Sequence, residues 1–190
     1  MSALGPACRS VPGIALALAL AAGAGCGTDA QRTAKAPEAT APPLRPATAT
    51  EVLQAVRAPG ARMTFVNAWA TWCGPCREEF PALMALARAY RDRGLRLVLV
   101  SCDFEEQLPA ARRFLGEQGV DFETLLKSGD DMEFIDTLNP RWTGALPASF
   151  VYDAQGRLMR FHEGKATYAE MEQMVLQALA AQGADPPTGE

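Results

Sequence analysis

Two apolar runs constrain this chain more than any other feature. Met63-Thr64-Phe65-Val66-Asn67-Ala68-Trp69 and Leu95-Arg96-Leu97-Val98-Leu99-Val100-Ser101-Cys102 are nearly continuous in apolar side chains instead of alternating with polar ones. A strand of that kind is buried on both faces, as inside a parallel sheet covered by helices. Between the runs, Phe80, Leu83, Met84, Ala87 and Tyr90 recur at helical spacing up to Gly94, with Pro81 inside the pattern and expected to kink it. The result is a strand–helix–strand unit. A right-handed crossover puts the C-terminal ends of both strands on one side, and that side is where sites form in open α/β sheets.

The flanks extend the pattern. Thr48-x-x-Glu51 matches a capping box ahead of Val52, Leu53 and Val56, and Pro59-Gly60 stops that helix. A helix over about residues 107–118 carries Pro109 in its first turn. Val120-Asp121-Phe122 is a short strand candidate, and residues 130–138 read as another helix. Two strands, Ala148–Tyr152 and Arg157–His162, flank the turn Asp153-Ala154-Gln155-Gly156 as a hairpin. Thr167-x-x-Glu170 caps a last helix bearing Met171, Met174, Val175, Ala178 and Leu179. Strands alternating with helices, then a hairpin and a helix, predict an α/β fold with a central mixed sheet and helices on both faces.

The ends of the chain are different in kind. Residues 1–26 read as an export signal: Arg9 precedes a short apolar run from Val11 to Ala24, too short for a spanning helix and ending in small residues. Gly23-Ala24-Gly25-Cys26 resembles a bacterial lipobox, with Gly23 where Leu is usual, which implies lipidation of Cys26. Ala22-Gly23-Ala24 equally fits ordinary cleavage after Ala24. Residues 27–48, rich in Ala, Thr and Pro, read as a solvated linker. The folded domain is expected over residues 49–182 and a disordered tail over 183–190. A formal charge of −4 argues against a nucleic-acid partner.

The five cysteines and one histidine leave no room for a large metal cluster, and no cofactor or metal is expected. Cys8 lies in the signal and Cys26 at its end. Cys73, Cys76 and Cys102 remain, with one closely spaced pair instead of a framework of bridges. That pair, Cys73-Gly74-Pro75-Cys76, stands where the first apolar run ends and a helical pattern begins. A thiol at a helix N-terminus faces unsatisfied N–H groups and the positive end of the dipole, which favour the thiolate. Cys73 is therefore the attacking thiol, and Cys76, one turn further in, is the more buried resolving thiol. Trp72 offers either a docking surface beside the sulfur or simple packing.

Trp72-Cys73-Gly74-Pro75-Cys76 is the active-site motif of thioredoxins, and the string from Val66 to Pro81 resembles the exported TlpA/ResA/DsbE branch of that superfamily. A second segment, Gly144-Ala145-Leu146-Pro147-Ala148-Ser149-Phe150, resembles the family's loop with its cis-proline. The resemblance implies a thioredoxin-like fold, a redox disulfide Cys73–Cys76 and a cis bond before Pro147. It also implies substrate contact through Trp72, Leu146 and Pro147. Thioredoxins themselves carry a buried Asp at the position of Asn67, and Asn there fits the exported branch. Glu79 corresponds to an acidic residue near the cavity of ResA-like proteins, which implies a proton acceptor for Cys76 or a tuner of both thiols. Glu78 and Glu79 equally read as carboxylates that suit the helix dipole.

The resemblance implies a thiol–disulfide oxidoreductase working as a reductase. Gly-Pro between the cysteines is similar to reducing thioredoxin, near about −270 mV, and not to oxidants near about −120 mV. Implied partners are a membrane electron donor of DsbD/CcdA type and oxidised exported proteins, apocytochrome c among them. The protein would sit on the periplasmic side, held to the membrane by the lipid on Cys26. Two other classes of function fit the residues less well. Copper delivery through Cys73, Cys76 and His162 or Cys102 conflicts with the two-residue spacing, since related copper chaperones have three. A peroxidase needs its attacking cysteine in a different loop. Cys102 reads as a small buried hydrophobe, His162 as a surface residue of the outer strand, and Arg112-Arg113 as a solvated helix face.

Overall fold

The computed structural model describes residues 42–183. The signal segment 1–26, Cys26, the linker up to residue 41 and the tail from residue 184 lie outside the described residues.

A six-stranded mixed sheet carries the fold. Its strands are β1 (Leu44–Ala47), β2 (Met63–Trp69), β3 (Leu95–Ser101), β4 (Thr124–Lys127), β5 (Ala148–Asp153) and β6 (Leu158–Glu163), in the spatial order β1-β4-β3-β2-β5-β6. β1, β4, β3 and β2 run parallel, and β5 and β6 join antiparallel. The helices are α1 (Ala49–Arg57), α2 (Gly74–Tyr90), α3 (Leu108–Glu117), α4 (Asp131–Leu138) and α5 (Tyr168–Gly183). One face of the sheet carries a core built with α2, α3 and α5, and the other a core built with α1 and α4.

The two apolar runs became the two central strands for the reason the sequence implies: every residue of β2 is buried. β2 pairs with β3 along its whole length, Met63 opposite Leu95 and Trp69 opposite Ser101, so both strands end at the same edge. Thr48 and Glu51 form the capping box of α1, with the Thr48 N–H donating to Glu51 Oε2 at 2.7 Å. Thr167 and Glu170 do the same for α5, at 2.7 Å. Above the end of β2 the rings of Trp69, Phe80 and Phe114 meet with centroids 4.9–5.2 Å apart, tying α2 and α3 to the sheet.

Two expectations change. The segment read as linker to residue 48 contains β1 at its end, where Leu44–Ala47 pair in register with Thr124–Lys127. Its composition concealed it: Pro46 cannot sit in a central strand, but β1 is at the sheet edge, where proline is tolerated. The strand expected at Val120-Asp121-Phe122 instead occupies Thr124–Lys127, because Thr124, Leu125 and Leu126 are the residues that become buried between β1 and β3, while Asp121 and Glu123 stay exposed.

Removing the Phe80 ring empties the junction of α2, α3 and β2. Phe80→Ala is expected to lower the unfolding free energy by about 3–5 kcal/mol, measured by urea denaturation. A loss below about 1 kcal/mol would mean that this junction does not hold the helices to the sheet.

Candidate active site

The edge where β2 and β3 end is where the cysteines gather. β2 stops at Trp69, and a short loop leads to Cys73, which is the N-cap of α2 with extended backbone. Pro75 falls within the first turn of the helix, where a missing N–H costs no hydrogen bond. Cys73 and Cys76 are joined as a disulfide. The Cys76 N–H donates to Cys73 Sγ at 3.2 Å. After reduction that N–H and the helix end favour negative charge on Cys73. Cys76 is 0% exposed and Cys73 only 5%, so the attacking sulfur is less open than its sequence position suggests, although it remains the outer one. Trp72 beside it is 56% exposed, which removes the core-packing reading for that ring.

The loop that carries Trp72 and Cys73 is held from β3. Asp103, just past the end of that strand, is buried and accepts the Thr71 N–H at 2.9 Å, the Thr71 hydroxyl, and the Ser101 hydroxyl at 2.7 Å. Sequence reasoning passed over Asp103, since a lone aspartate after a strand looks like any loop residue. Cys102, one position earlier, donates its N–H to the Trp69 carbonyl at 2.7 Å and extends the ladder. Its thiol packs against both cores, and burial pushes it up to about 12. It stays protonated and chemically quiet near neutral pH.

Glu79 is not a surface carboxylate. It lies one turn from Cys76 on the same side of α2, is 2% exposed, and reaches over the sheet. Its Oε1 accepts from Asn67 Nδ2 at 3.0 Å and its Oε2 from the Ala166 N–H at 2.8 Å. Burial raises its affinity for a proton, partly offset by those two donors. Asn67 also donates to Ser149 Oγ at 3.2 Å, while Asn67 Oδ1 is buried without a partner. Glu78, by contrast, is exposed and pairs with Lys165 at 2.6 Å, as the dipole reading allows.

The segment before β5 closes the other side. The Leu146–Pro147 peptide is cis, Pro147 is buried and Leu146 half-buried. Gly144 has φ +88, and a side chain there would meet Ile135 Cδ1 at 2.8 Å. Trp142 Nε1 donates to the Ala145 carbonyl at 2.9 Å, Glu163 accepts from the Thr143 N–H at 2.8 Å, and the Gly164 N–H donates to the Pro147 carbonyl at 2.8 Å. Because Ala68 faces Ala148 across β2 and β5, this loop and the cysteine loop leave the sheet side by side. A groove of about 570 Å³ runs between Trp72, Phe104, Lys127, Trp142 and Leu146. Among the described residues no three His, Cys, Asp or Glu side chains cluster as a metal-ligand set.

Known proteins share this arrangement. A model of the AhpC/TSA family matches residues 33–161. The chain is 30% identical over 108 residues to the thiol-disulfide oxidoreductase ResA of Bacillus thuringiensis, covering 57% of this chain and 58% of that protein. It is 34% identical over 110 residues to a thiol:disulfide interchange protein DsbE homolog of Paracoccus denitrificans, covering 57% and 54%. The chain thus spans less than two thirds of the length of these curated relatives. A solved thiol:disulfide interchange protein of the thioredoxin family from Chlorobium tepidum matches with TM-score 0.53 and 29% identity, over 63% of this chain and 81% of that one. The fold is thioredoxin-like and α/β, as the motifs imply.

Two outcomes follow from the site's geometry. Asp103→Ala strips partners from the Thr71 N–H and from two hydroxyls, so it is expected to cost about 1–3 kcal/mol in denaturant unfolding; an unchanged midpoint would mean that the loop is held by other contacts. Glu79 holds its proton more tightly folded than unfolded, so the folded state binds more protons just above the ordinary carboxylate range. Stability there falls as pH rises. Glu79→Gln is expected to remove that decline, so that its stability relative to wild type improves from about pH 4 to about pH 7. Parallel stability curves would contradict the buried carboxylate.

Proposed function

The chain belongs to the AhpC/TSA family, and we propose that it is an exported thiol–disulfide oxidoreductase that reduces protein disulfides through Cys73 and Cys76. The observation that carries this reading is the disulfide itself, set at the first turn of α2 with the Cys76 N–H on Cys73 Sγ and a proline loop beside it. The named relatives, a thiol-disulfide oxidoreductase and a thiol:disulfide interchange protein, support it.

In the reduced state the Cys73 thiolate attacks one sulfur of a substrate disulfide. The substrate's other sulfur leaves with the electron pair, and a mixed disulfide forms. Cys76 then gives its proton to Glu79 and attacks the Cys73 sulfur. The second substrate sulfur departs, the substrate is reduced by two electrons, and Cys73–Cys76 is restored as the disulfide. Trp72, the Leu146 backbone and Pro147 hold the substrate as an extended segment along the groove. Reduction of the resting disulfide falls to a membrane donor of DsbD/CcdA type. The substrates are oxidised exported proteins, either apocytochrome c or others. Residues 1–26 direct export, and lipid on Cys26 would hold the domain at the membrane.

Cys73→Ser is expected to abolish reduction of insulin disulfides, a loss of at least about a thousandfold over the wild-type rate. Cys76→Ser is expected to accumulate a mixed disulfide with substrate, visible on non-reducing gels and lost with dithiothreitol. Retained activity in the first variant, or no trapped species in the second, would overturn the assignment of roles.

A further inference from the structure

The loop before β5 is fastened on both sides of one open peptide unit. Trp142 Nε1 donates to the Ala145 carbonyl at 2.9 Å, and the Gly164 N–H donates to the Pro147 carbonyl at 2.8 Å. Leu146 lies between these two anchored carbonyls and lines the groove beside Trp72. Among the described residues no hydrogen bond engages the Leu146 N–H or its carbonyl. Backbone polar groups in folded proteins are nearly always paired. An open peptide unit at the edge of a groove is a place where an extended segment can supply the partner.

What holds the start of this loop is a carboxylate from another strand. Glu163 ends β6 and lies opposite Ala148, which begins β5. Its Oε2 accepts the Thr143 N–H at 2.8 Å, and its Oε1 accepts the Thr143 hydroxyl at 2.8 Å. Both oxygens are committed to one residue, in hydrogen bonds of the stronger, charge-assisted kind. The next residue, Gly164, makes the bond to Pro147. The end of β6 therefore grips the loop at Thr143 and at Pro147, on either side of Leu146. Between the grips, Gly144 has φ +88, and a side chain there would meet Ile135 of α4 at 2.8 Å. Thr143 and Glu163 belong to neither hydrophobic core. What their two bonds fix is the course of the loop.

We propose that Glu163 is a positioning residue for polypeptide substrates: through Thr143 it holds the loop so that the Leu146 N–H and carbonyl stand ready to pair with the backbone of an extended substrate segment. The inference rests on the reading that the Leu146 backbone binds substrate. A loop already ordered in its bound course loses less conformational freedom when the substrate arrives. Without Glu163 the Thr143 end is released, and the loop must be ordered at the expense of binding. A small disulfide that has no peptide backbone makes no use of Leu146 and gains nothing from Glu163. Gln at this position keeps both bonds, since its carbonyl oxygen accepts the Thr143 N–H and its amide donates to the Thr143 hydroxyl.

The test compares two disulfides as substrates of the reduced full chain: 5,5′-dithiobis(2-nitrobenzoate), which has no peptide backbone, and a disulfide-linked peptide carrying a fluorophore and a quencher. Versions of the peptide methylated in turn at each backbone nitrogen beside the cysteine remove one pairing N–H at a time. In wild type, methylation at one of these positions is expected to lower the second-order rate constant about tenfold. Glu163→Ala is expected to slow the unmethylated peptide about tenfold and to shrink the methylation penalty below about twofold, with the rate on the small disulfide unchanged. Glu163→Gln is expected to restore both the peptide rate and the penalty. Thr143→Val, which removes only the hydroxyl, is expected to fall between Glu163→Ala and wild type, and it carries the test if Glu163→Ala does not fold. If methylation slows wild type but Glu163→Ala, or Thr143→Val in its place, keeps the wild-type peptide rate and penalty, the role of Glu163 is overturned and pairing with Leu146 stands. Equal slowing of both disulfides, or a Glu163→Gln variant as slow as Glu163→Ala, overturns that role as well. If no methylated peptide differs from its parent in wild type, the reading of Leu146 falls and this inference with it.

Discussion

The pairing of β2 with both of its neighbours sets every distance in the site. Seven residues of β2 lie in register against β3, and the antiparallel ladder with β5 runs from Met63–Asp153 to Ala68–Ala148. One ladder brings Asp103 to the loop of Thr71, and the other brings Pro147 to the loop of Cys73. A strand in that position has no free face, which is why it is apolar throughout except at Thr64 and Asn67. Asn67 is the exception that matters. It carries hydrogen bonding into the middle of the sheet and gives Glu79 a buried partner.

That arrangement sets stability against chemistry. On the proposed mechanism Glu79 takes a proton from a thiol, which calls for a raised affinity for protons, and burial is what raises it. The same burial is unfavourable to the folded state once Glu79 ionises. The Asn67 side chain and the Ala166 N–H soften the penalty without cancelling it, since burial remains the largest influence on Glu79. Hydrophobic packing supplies the rest: the Trp69, Phe80 and Phe114 rings lock the first turns of α2 over the sheet and so hold the disulfide and Glu79 in place.

Much of this was legible in the chain. The buried strands, the capping boxes at Thr48 and Thr167, the hairpin around Gly156 and the cysteine pair at a strand–helix junction are local patterns, and local patterns survive folding. Glu79 was half legible. It lies four residues before Leu83 and three after Cys76, inside the apolar stripe of α2, yet its neighbour Glu78 made both look like surface carboxylates. β1 was hidden by prolines that only an edge strand accepts. Asp103 was not legible, because its role comes from a partner 32 residues away at Thr71, which no local pattern announces. His162, expected at the surface, is half-buried, and its Nε2 is buried.

The direction of electron flow is the claim on which the functional account turns. On the proposed reading, the Gly-Pro pair between the cysteines, with the Cys76 N–H on Cys73 Sγ, suits a donor of electrons and not a strong oxidant. The equilibrium reduction potential of the Cys73/Cys76 couple, measured against dithiothreitol or thioredoxin buffers, tests this most directly. The account predicts a value near about −270 mV. A value near about −120 mV would make the protein an oxidant and contradict it.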